Sequence, residues 1–294
     1  MFYRRKVILA IIEAFGGTIE KIALQKLLLL FTKRQLKPDY DFVPYHFGCY
    51  SFSANADLTA MVKHGLLNED EKSFAKKDAV NYTSKLSTSD KKNLVELHTL
   101  YGKMSSTALM KHTYLNHSYY AINSKIAKEL LTDEQYQKVY TAKPVSSETI
   151  LFTIGYEGIS LEEYLNRLIK NDVKLLIDVR NNAMSMKFGF SKSQLLKYCN
   201  SLGIEYMHTP EVGIQSAFRQ ELNSQADYDS LFNQYKSSTL SITKSSQEKI
   251  FDLLLKKKRI ALTCFEANIC QCHRKHLSEA ITSLPNWNYE LKHI

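Results

Sequence analysis

Short apolar runs alternate with segments of helical periodicity through the second half of the chain, residues 150–294. A run of about four to eight apolar residues, bounded by turn-forming residues, predicts a buried strand. In chain order these runs cover residues 150–154, 173–177, 204–207 and 259–265. Strands that alternate with helices form a mostly parallel sheet with helices on both faces. We therefore predict an α/β fold for this half.

Helices are predicted between these strands and after the fourth of them. Residues 160–163 and 191–194 have the Ser-x-x-Glu/Gln pattern of a capping box, which marks a helix N-terminus. Two later segments, residues 247–257 and 273–284, are also predicted as helices. Residues 289–294 are expected to add an edge strand to the sheet.

The first half of the chain has mainly helical periodicity, interrupted by an aromatic, turn-rich segment at residues 40–50. That segment predicts a β-ribbon or the wing of a winged helix-turn-helix domain, and an ordinary small helical domain is the alternative. Residues 68–92 are charged and poorly periodic, which predicts a loop. The composition of residues 142–147 is typical of a linker. We therefore predict two domains, a mainly helical recognition domain at residues 1–143 and an α/β catalytic domain at residues 144–294.

A helix is predicted after the charged segment, with Ser89 and Asp90 as its cap. Leu94, Leu97 and Leu100 are expected on its inner face.

The chain is basic, with 39 Lys and Arg against 30 Asp and Glu among 294 residues, a formal charge of +9 and a pI of about 9.1. This charge favours an anionic partner, with nucleic acid first and a membrane surface second, and a basic but merely soluble protein is the alternative. The partner that we expect is double-stranded DNA. No apolar run is long enough to span a membrane, so no membrane partner is expected. Five cysteines, an odd number, do not indicate a disulfide framework, and we expect a cytoplasmic protein.

Polar motifs directly follow three of the predicted strands, at residues 155–158, 178–180 and 264–274. The carboxyl ends of parallel strands meet at one edge of a sheet, and ligands bind beyond that edge. We therefore expect these distant motifs to converge. The last motif is the densest, because thiols, a carboxylate, an imidazole and a guanidinium occupy one strand-to-helix turn.

Carboxylates and an imidazole are the candidate catalytic groups of this edge, since they transfer protons or stabilise positive charge. They are Asp178, Glu266, His273 and Glu157. The candidate substrate-binding residues provide stacking rings, cations, close backbone approach or a helix N-terminus. They are Tyr156, Phe188, Phe190, Arg180, Arg274, Lys187, Gly155, Gly158 and Cys272. Arg219 is a further candidate for phosphate binding, and the thiol pKa of Cys272 is expected to fall at the helix N-terminus.

Structural roles are the alternative for several of these residues. An ion pair of Asp178 with Arg180 or with Arg274 would only lock two loops together. Glu266 would then cap the last helix, and Cys264 would be a small buried apolar residue.

Thiols and imidazoles also suit zinc, which is the alternative for the last motif. Its candidate ligands are Cys264, Cys270, Cys272, His273 and His276. Their spacing matches no standard ribbon or finger, and adjacent Cys272 and His273 are expected to point in different directions once the helix has begun. We therefore predict no metal and no diffusible cofactor.

Ordered motifs along the second half carry a family resemblance. They occupy residues 153–158, 176–180, 188–191, 202–206, 264–266 and 272–274, together with His208 and Pro210. Through them, residues 150–294 resemble the family called domain of unknown function 488. The resemblance implies an α/β fold with a polar site made from these motifs. Cys270 is an addition to the family pattern, and residues 181–184 stand where many relatives have a proline-containing turn.

The first half resembles a Panacea-type antitoxin domain through residues 24–28, 42–48 and 109–113. This resemblance covers residues 1–130 and implies a regulatory or recognition module.

These observations predict an enzyme that acts on nucleic acid, most concretely a DNA glycosylase that flips out and excises a modified base. Asp178 would stabilise the cationic sugar or activate water, and Glu266 or His273 would protonate or orient the leaving base. An antitoxin-like half beside an unusual enzyme half suits bacterial antiviral defence or DNA repair. The alternatives are a non-enzymatic DNA-binding or regulatory module and a metal-dependent nuclease.

Overall fold

The computed structural model describes residues 1–215, 218, 222 and 224–294, in two compact units, Met1–Lys143 and Pro144–Ile294. Arg219, a sequence candidate for phosphate binding, lies outside the described residues. Among the described helices, none combines the length and the apolar character that a membrane crossing requires.

The first unit is mainly helical and is built around its second helix. Its elements are α1 (Tyr3–Ala14), β1 (Thr18–Glu20), α2 (Lys21–Thr32), β2 (Val43–Tyr45), β3 (Gly48–Tyr50), α3 (Phe52–Lys63), β4 (Leu67–Glu69), β5 (Ser73–Lys76), α4 (Thr88–Tyr101), α5 (Ser106–Asn116), α6 (Ala127–Leu130) and α7 (Asp133–Thr141). Every residue of α2 from position 23 to 32 is buried. A helix that is apolar on nearly all sides belongs in a core, and α2 occupies that position.

The small sheet of the first unit has a winged-helix arrangement. Its strands pair antiparallel in the order β1-β5-β4, and the chain runs through helix, strand, two helices and two strands. The predicted ribbon at residues 40–50 forms a separate pair, β2 with β3. The wing position therefore falls to the turn between β4 and β5. Residues 68–92 were predicted as a loop, and this prediction is wrong for β5. Strand β5 is stabilised by pairing with the distant strand β1, and local periodicity does not reveal such pairing.

Helix α4 differs from its prediction in two details. Ser87, not Ser89, is the N-cap, and its Oγ accepts a hydrogen bond from the Asp90 amide. Leu94 and Leu97 are buried as predicted, but Leu100 is 55% exposed. Steps of three residues drift around a helix of about 3.6 residues per turn, so the third leucine leaves the apolar face.

The second unit contains the strands and helices that its alternating pattern predicts. Its elements are β6 (Ile150–Gly155), α8 (Leu161–Lys170), β7 (Leu175–Asp178), α9 (Lys192–Ser201), β8 (Glu205–His208), α10 (Gln225–Tyr235), α11 (Lys244–Lys257), β9 (Arg259–Cys264), α12 (His273–Thr282) and β10 (Glu290–His293). Sequence reasoning missed α10 and the π-helical turn Lys236–Leu240 that continues it.

Within the described residues, five strands of the second unit form one sheet in the order β10-β6-β9-β7-β8. Every pair in it is parallel. Every residue of β6 and of β9 is buried, which explains their nearly continuous apolar runs. The predicted α/β class and the predicted edge strand β10 are confirmed.

Side chains alternate between the two faces of this sheet. Leu151, Ile177 and Ile260 join a core that also contains apolar residues of α10, α11 and α12. On the other face, Tyr164 of α8 donates a hydrogen bond to the Thr263 hydroxyl at 2.7 Å. The polar motifs therefore follow strands that are packed between two helical layers.

The start of α9 also differs from its prediction. Ser191 is the N-cap, but its Oγ donates to the Ser185 carbonyl and forms no capping bond with α9. Gln194 accepts a hydrogen bond from the Gly189 amide instead of closing a capping box. Both side chains thus hold the loop before α9, a loop that contributes to the site.

Candidate functional site

The register of the sheet brings the three polar motifs to one level. Strand β6 is paired with β9 as far as Gly155 opposite Cys264, and β7 is paired with β9 as far as Asp178 opposite Thr263. The chain leaves each of these strands at the same edge. The predicted convergence of the motifs is confirmed by this register.

Direct hydrogen bonds join the loops that follow these strands. The His273 Nε2 atom lies 2.9 Å from the Val179 carbonyl oxygen, and Arg180 Nη1 donates to the Tyr156 hydroxyl at 2.6 Å. Each bond connects motifs that are far apart in sequence. The three loops are therefore held together by hydrogen bonds between their side chains and backbone.

A pocket of about 250 Å³ opens between these loops. Its wall combines rings, amides, a guanidinium, a thiol and an imidazole. The lining residues are Tyr156, Arg180, Asn181, Asn182, Met184, Ser185, Ile214, Cys264, Phe265 and His273. We take this pocket as the candidate active site.

Arg180 and Asp178 form a buried pair behind the pocket wall. The guanidinium donates to the carboxylate from Nε at 2.8 Å and from Nη2 at 2.5 Å, and Tyr206 donates to the same carboxylate at 2.7 Å. Asp178 is fully buried and Arg180 is 6% exposed. Burial alone lowers the pKa of Arg180, but the hydrogen bonds and charge of Asp178 reverse this and raise it, so the guanidinium stays protonated.

This geometry gives Asp178 a positioning role in place of the predicted catalytic one. Its carboxylate is occupied by three charged or hydroxyl donors and is not part of the pocket wall. Arg180, in contrast, reaches the wall. The ion pair that the sequence left open is the arrangement found, with Arg180 as the partner of Asp178.

The aromatic wall differs from the predicted one. Tyr156 and Phe190 stack with centroids 4.2 Å apart, and both rings are buried. Phe188 is 39% exposed but lies beside Tyr198, outside the pocket lining. Phe265, which sequence reasoning did not select, is 43% exposed and lines the pocket edge-on to Tyr156. Phe265 is therefore the ring best placed to stack on a bound planar group.

Two glycines permit the turn after β6. A Cβ atom at Gly155 would lie 2.0 Å from the Glu266 carbonyl oxygen, so only glycine allows this close backbone approach. Gly158 has φ +77°, a left-handed backbone conformation that favours glycine because glycine has no Cβ atom. Neither lines the pocket. Glu157 is exposed and accepts a hydrogen bond from the Ala267 amide at 2.9 Å, which ties two loops together.

Cys264 is buried, as predicted, but its thiol has polar neighbours. Its Sγ lies 3.1 Å from Glu266 Oε2 and 3.6 Å from His273 Nδ1. The Cys272 thiol belongs to the same cluster, since the ligand atoms of Cys264, Cys272 and His273 all lie within 4.8 Å of one another. A thiol with a carboxylate and an imidazole as neighbours therefore lies at the pocket wall.

The expected fall in the pKa of Cys272 does not occur. Burial, followed by the hydrogen bond and charge of Cys264, raises the pKa of the Cys272 thiol well above its usual value. Cys272 is fully buried at the N-cap of α12. Loss of solvation therefore outweighs the favourable field of the helix N-terminus.

Two of the predicted cationic substrate-binding residues, Arg274 and Lys187, donate to backbone carbonyl groups. Arg274 is 2% exposed and donates to the carbonyl oxygens of Glu266 and Ala267, at 2.5 and 3.3 Å. Lys187 is half-buried and donates to the Tyr156 carbonyl at 2.5 Å, and burial lowers its pKa. Neither lines the pocket, so both stabilise its walls from behind.

Sequence reasoning missed much of the pocket wall because it weighted charged side chains. The only sign was the segment 181–184, where the chain departs from the pattern of relatives. The pocket residues that were not selected are Asn181, Asn182, Met184, Ser185, Ile214 and Phe265.

A second depression of about 340 Å³ adjoins this pocket. The two share Asn181 and Ile214, and the second is also lined by the exposed side chains of Phe218 and Ile242. The π-helical turn Lys236–Leu240 forms part of its wall. The pocket therefore continues into a partly apolar groove.

The family comparison covers the elements that build this site. Residues 160–281 match the family model described as Domain of unknown function DUF488. This region is similar to that family. The match runs from α8 to α12 and contains Asp178, Arg180, Cys264 and His273, whereas β6 and β10 lie outside it. A search of curated proteins finds no match. The resemblance of the first half to a Panacea-type antitoxin gains no support from either comparison.

Proposed function

We propose that the second unit is a hydrolase that cleaves the N-glycosidic bond of a modified base in DNA. The observation that supports this most is the pocket itself, in which an exposed aromatic ring and amide side chains lie beside a cluster of carboxylate, thiol and imidazole. Enzymes that act on bases extrude the nucleotide and hold it by stacking and by hydrogen bonds to its edge. Phe265 offers the stacking face, and Asn181 and Asn182 offer donors and acceptors.

The size of the pocket suits one nucleobase. At about 250 Å³ it is below the range of roughly 300–1,000 Å³ that encloses drug-sized ligands. The adjoining groove of about 340 Å³ gives room for neighbouring nucleotides.

Glu266 takes the catalytic role that the sequence assigned first to Asp178. Cleavage breaks the bond between the sugar and the base, leaves positive charge on the sugar, and ends when water adds its OH to the sugar and a proton to the base. A carboxylate stabilises that charge and accepts a proton from the attacking water. Glu266 does not line the pocket itself, but it is half-buried and contacts the pocket thiol of Cys264. Asp178, in contrast, is fully buried and bound by Arg180.

The first unit is proposed to hold the DNA. It carries 21 Lys and Arg against 14 Asp and Glu, and α3 presents an exposed stripe of Asn55, Thr59 and Lys63 at helical spacing. Such side chains suit base edges and phosphate. The turn at residues 69–71 is Glu-Asp-Glu and would repel phosphate. We therefore assign the DNA contact to α3 and not to the β4–β5 turn.

Incubation of the full chain with duplexes that carry different modified bases, followed by mass spectrometry of the products, tests this function. A freed base with an abasic strand is the expected product. Glu266→Gln should reduce base release by about 10²–10⁴-fold, since a group that transfers protons contributes that much. Glu248→Gln is the matched control, because Glu248 is an exposed carboxylate on α11, and this variant should release base like the wild type.

Other products would identify the alternatives. A nicked strand whose formation stops with chelator would indicate a metal-dependent nuclease. Unchanged DNA that is nevertheless bound would indicate a non-enzymatic DNA-binding module. Either result would contradict the glycosylase assignment, as would equal base release by Glu266→Gln and the wild type.

A further inference from the structure

We propose that Cys264, Cys272 and His273 bind a zinc ion at the base of the pocket. The three residues come from the end of β9 and the start of α12. All are buried, and their ligand atoms lie within 4.8 Å of one another. Two thiolates and one imidazole are ligands that zinc prefers.

The separation of two of these atoms fits a shared tetrahedral ion. Zinc lies about 2.3 Å from sulfur and about 2.0–2.1 Å from nitrogen, which places sulfur and nitrogen ligands roughly 3.5 Å apart. Cys264 Sγ and His273 Nδ1 are 3.6 Å apart. This separation matches the one expected when both atoms bind the same ion.

The second ring nitrogen of His273 is oriented as in many zinc sites. Its Nε2 lies 2.9 Å from the Val179 carbonyl oxygen, which can only accept, so Nε2 carries the proton. The neutral ring then has its lone pair on Nδ1, the atom that faces Cys264. Zinc-binding histidines commonly donate their other N–H to a carbonyl or carboxylate in this way.

The structure also answers the objection that adjacent Cys272 and His273 would point apart. Cys272 is the N-cap of α12, with extended backbone angles of φ −130° and ψ 132°, and His273 is the first helical residue. The change of backbone conformation between them turns both side chains toward Cys264. The sequence argument assumed that both residues were helical, and that assumption is wrong.

The charge balance favours a divalent ion. Two thiolates and a neutral imidazole cancel the charge of Zn²⁺, which lowers the cost of burying the ion. Cys264 and His273 line the pocket, but Cys272 is buried behind it. The fourth position of the ion therefore faces the pocket, as in zinc sites that hold a water molecule.

The role of that water rests on the proposed function, whereas ion binding does not. Zinc lowers the pKa of a bound water and so supplies a hydroxide near neutral pH. Glu266 Oε2, 3.1 Å from Cys264 Sγ, is near enough to the cluster to accept the released proton.

Metal content of the purified full chain, measured by inductively coupled plasma mass spectrometry, tests the site. The protein is prepared with reductant and without added metal, then dialysed against chelator and reloaded with Zn²⁺ or Co²⁺. We expect one ion per wild-type chain, and with Co²⁺ an absorption band from thiolate-to-cobalt charge transfer. Cys264→Ser and Cys272→Ser should lose the ion and the band. Cys270→Ser, an exposed cysteine in the same loop, is the control and should keep both.

Equal metal content in the wild type and in Cys264→Ser would overturn the proposal, and so would a wild type that takes up no Co²⁺. Circular dichroism shows whether the serine variants fold, and reloading of the wild type tests the site even where they do not. Zinc binding without base release would contradict only the proposed function. Chelator-resistant base release by a zinc-free chain would contradict only the catalytic role of the zinc-bound water.

Discussion

The first unit carries 21 Lys and Arg against 14 Asp and Glu, whereas the second carries 18 against 16. The basic excess of the chain therefore belongs mostly to residues 1–143, and the candidate active site belongs to the nearly balanced second unit. Net charge attracts a polyanion over long distances, but catalysis needs a few groups in fixed positions. The high overall pI of this protein therefore reflects the charge of the unit that we propose binds DNA, and it says little about the pocket.

Each unit also buries an aspartate among arginines, with different consequences. Asp57 accepts hydrogen bonds from Arg4 and Arg5 and thereby ties α3 to α1. Those arginine side chains are 43% and 20% exposed, whereas Arg180, the partner of Asp178, is 6% exposed. Water therefore screens the first cluster and not the second. The second cluster reaches the wall of the candidate active site through Arg180.

The largest expected effect separates these two aspartates. Asp178→Ala leaves the buried Arg180 charge without its carboxylate, which should cost about 3–5 kcal/mol of the unfolding free energy of the second unit. Trp287 is the only tryptophan of the chain and packs in that unit, so its fluorescence during urea denaturation measures this change. Asp57→Ala, in the first unit, should leave the Trp287 transition in place. An equal shift by both variants would refute the contrast.

A middle-sized effect concerns the pocket ring. Phe265→Ala removes the proposed stacking surface and should weaken substrate binding by about 1–3 kcal/mol, the range found for one base on an aromatic ring. The rise in KM for base release measures it. Phe188→Ala is the control, since Phe188 is similarly exposed but lies outside the pocket lining. A greater loss with Phe188→Ala would restore the ring that the sequence suggested.

The smallest expected effect tests whether the basic first unit, and not the second, contacts DNA. Lys63→Ala on α3 should weaken DNA binding to all sequences alike and reduce the slope of log K against log salt by about 0.9, since it removes one phosphate contact. Fluorescence anisotropy at several salt concentrations measures the slope. Lys197→Ala, an exposed lysine of the second unit, should leave the slope unchanged. Equal slopes for the two variants would mean that α3 does not contact DNA.

The fold of the second unit could be predicted from the sequence because its alternation of apolar strands and helices repeats along the chain. Strands β6 and β9 are apolar along their whole length, and capping patterns precede α8 and α9. The first unit was harder, since β4 and β5 are short and charged and exist through pairing with each other and with β1. Cross-strand pairing is a long-range property that local periodicity does not record.

The location of the candidate site could be predicted from the sequence, but the roles of its residues could not. Asp178, Arg274 and Lys187 have the residue types of catalytic or phosphate-binding groups, yet all three bind protein partners behind the wall. Phe265 was not selected as a site residue because the sequence predicts it as the last residue of a strand. Whether a polar side chain faces a ligand or a buried partner depends on burial, which residue type alone does not specify.

The amino-acid sequence by itself determined that strands and helices alternate after residue 150 and that three polar motifs directly follow strands of one parallel sheet. It could do so because side-chain periodicity follows local backbone geometry, and because parallel strands share one carboxyl edge. Only the tertiary structure decided that Asp178 holds Arg180, that Phe265 lines the pocket, and that the thiols of Cys264 and Cys272 meet His273. These outcomes depend on distances between atoms far apart along the chain, which are set when the sheet pairs and the helices pack against it.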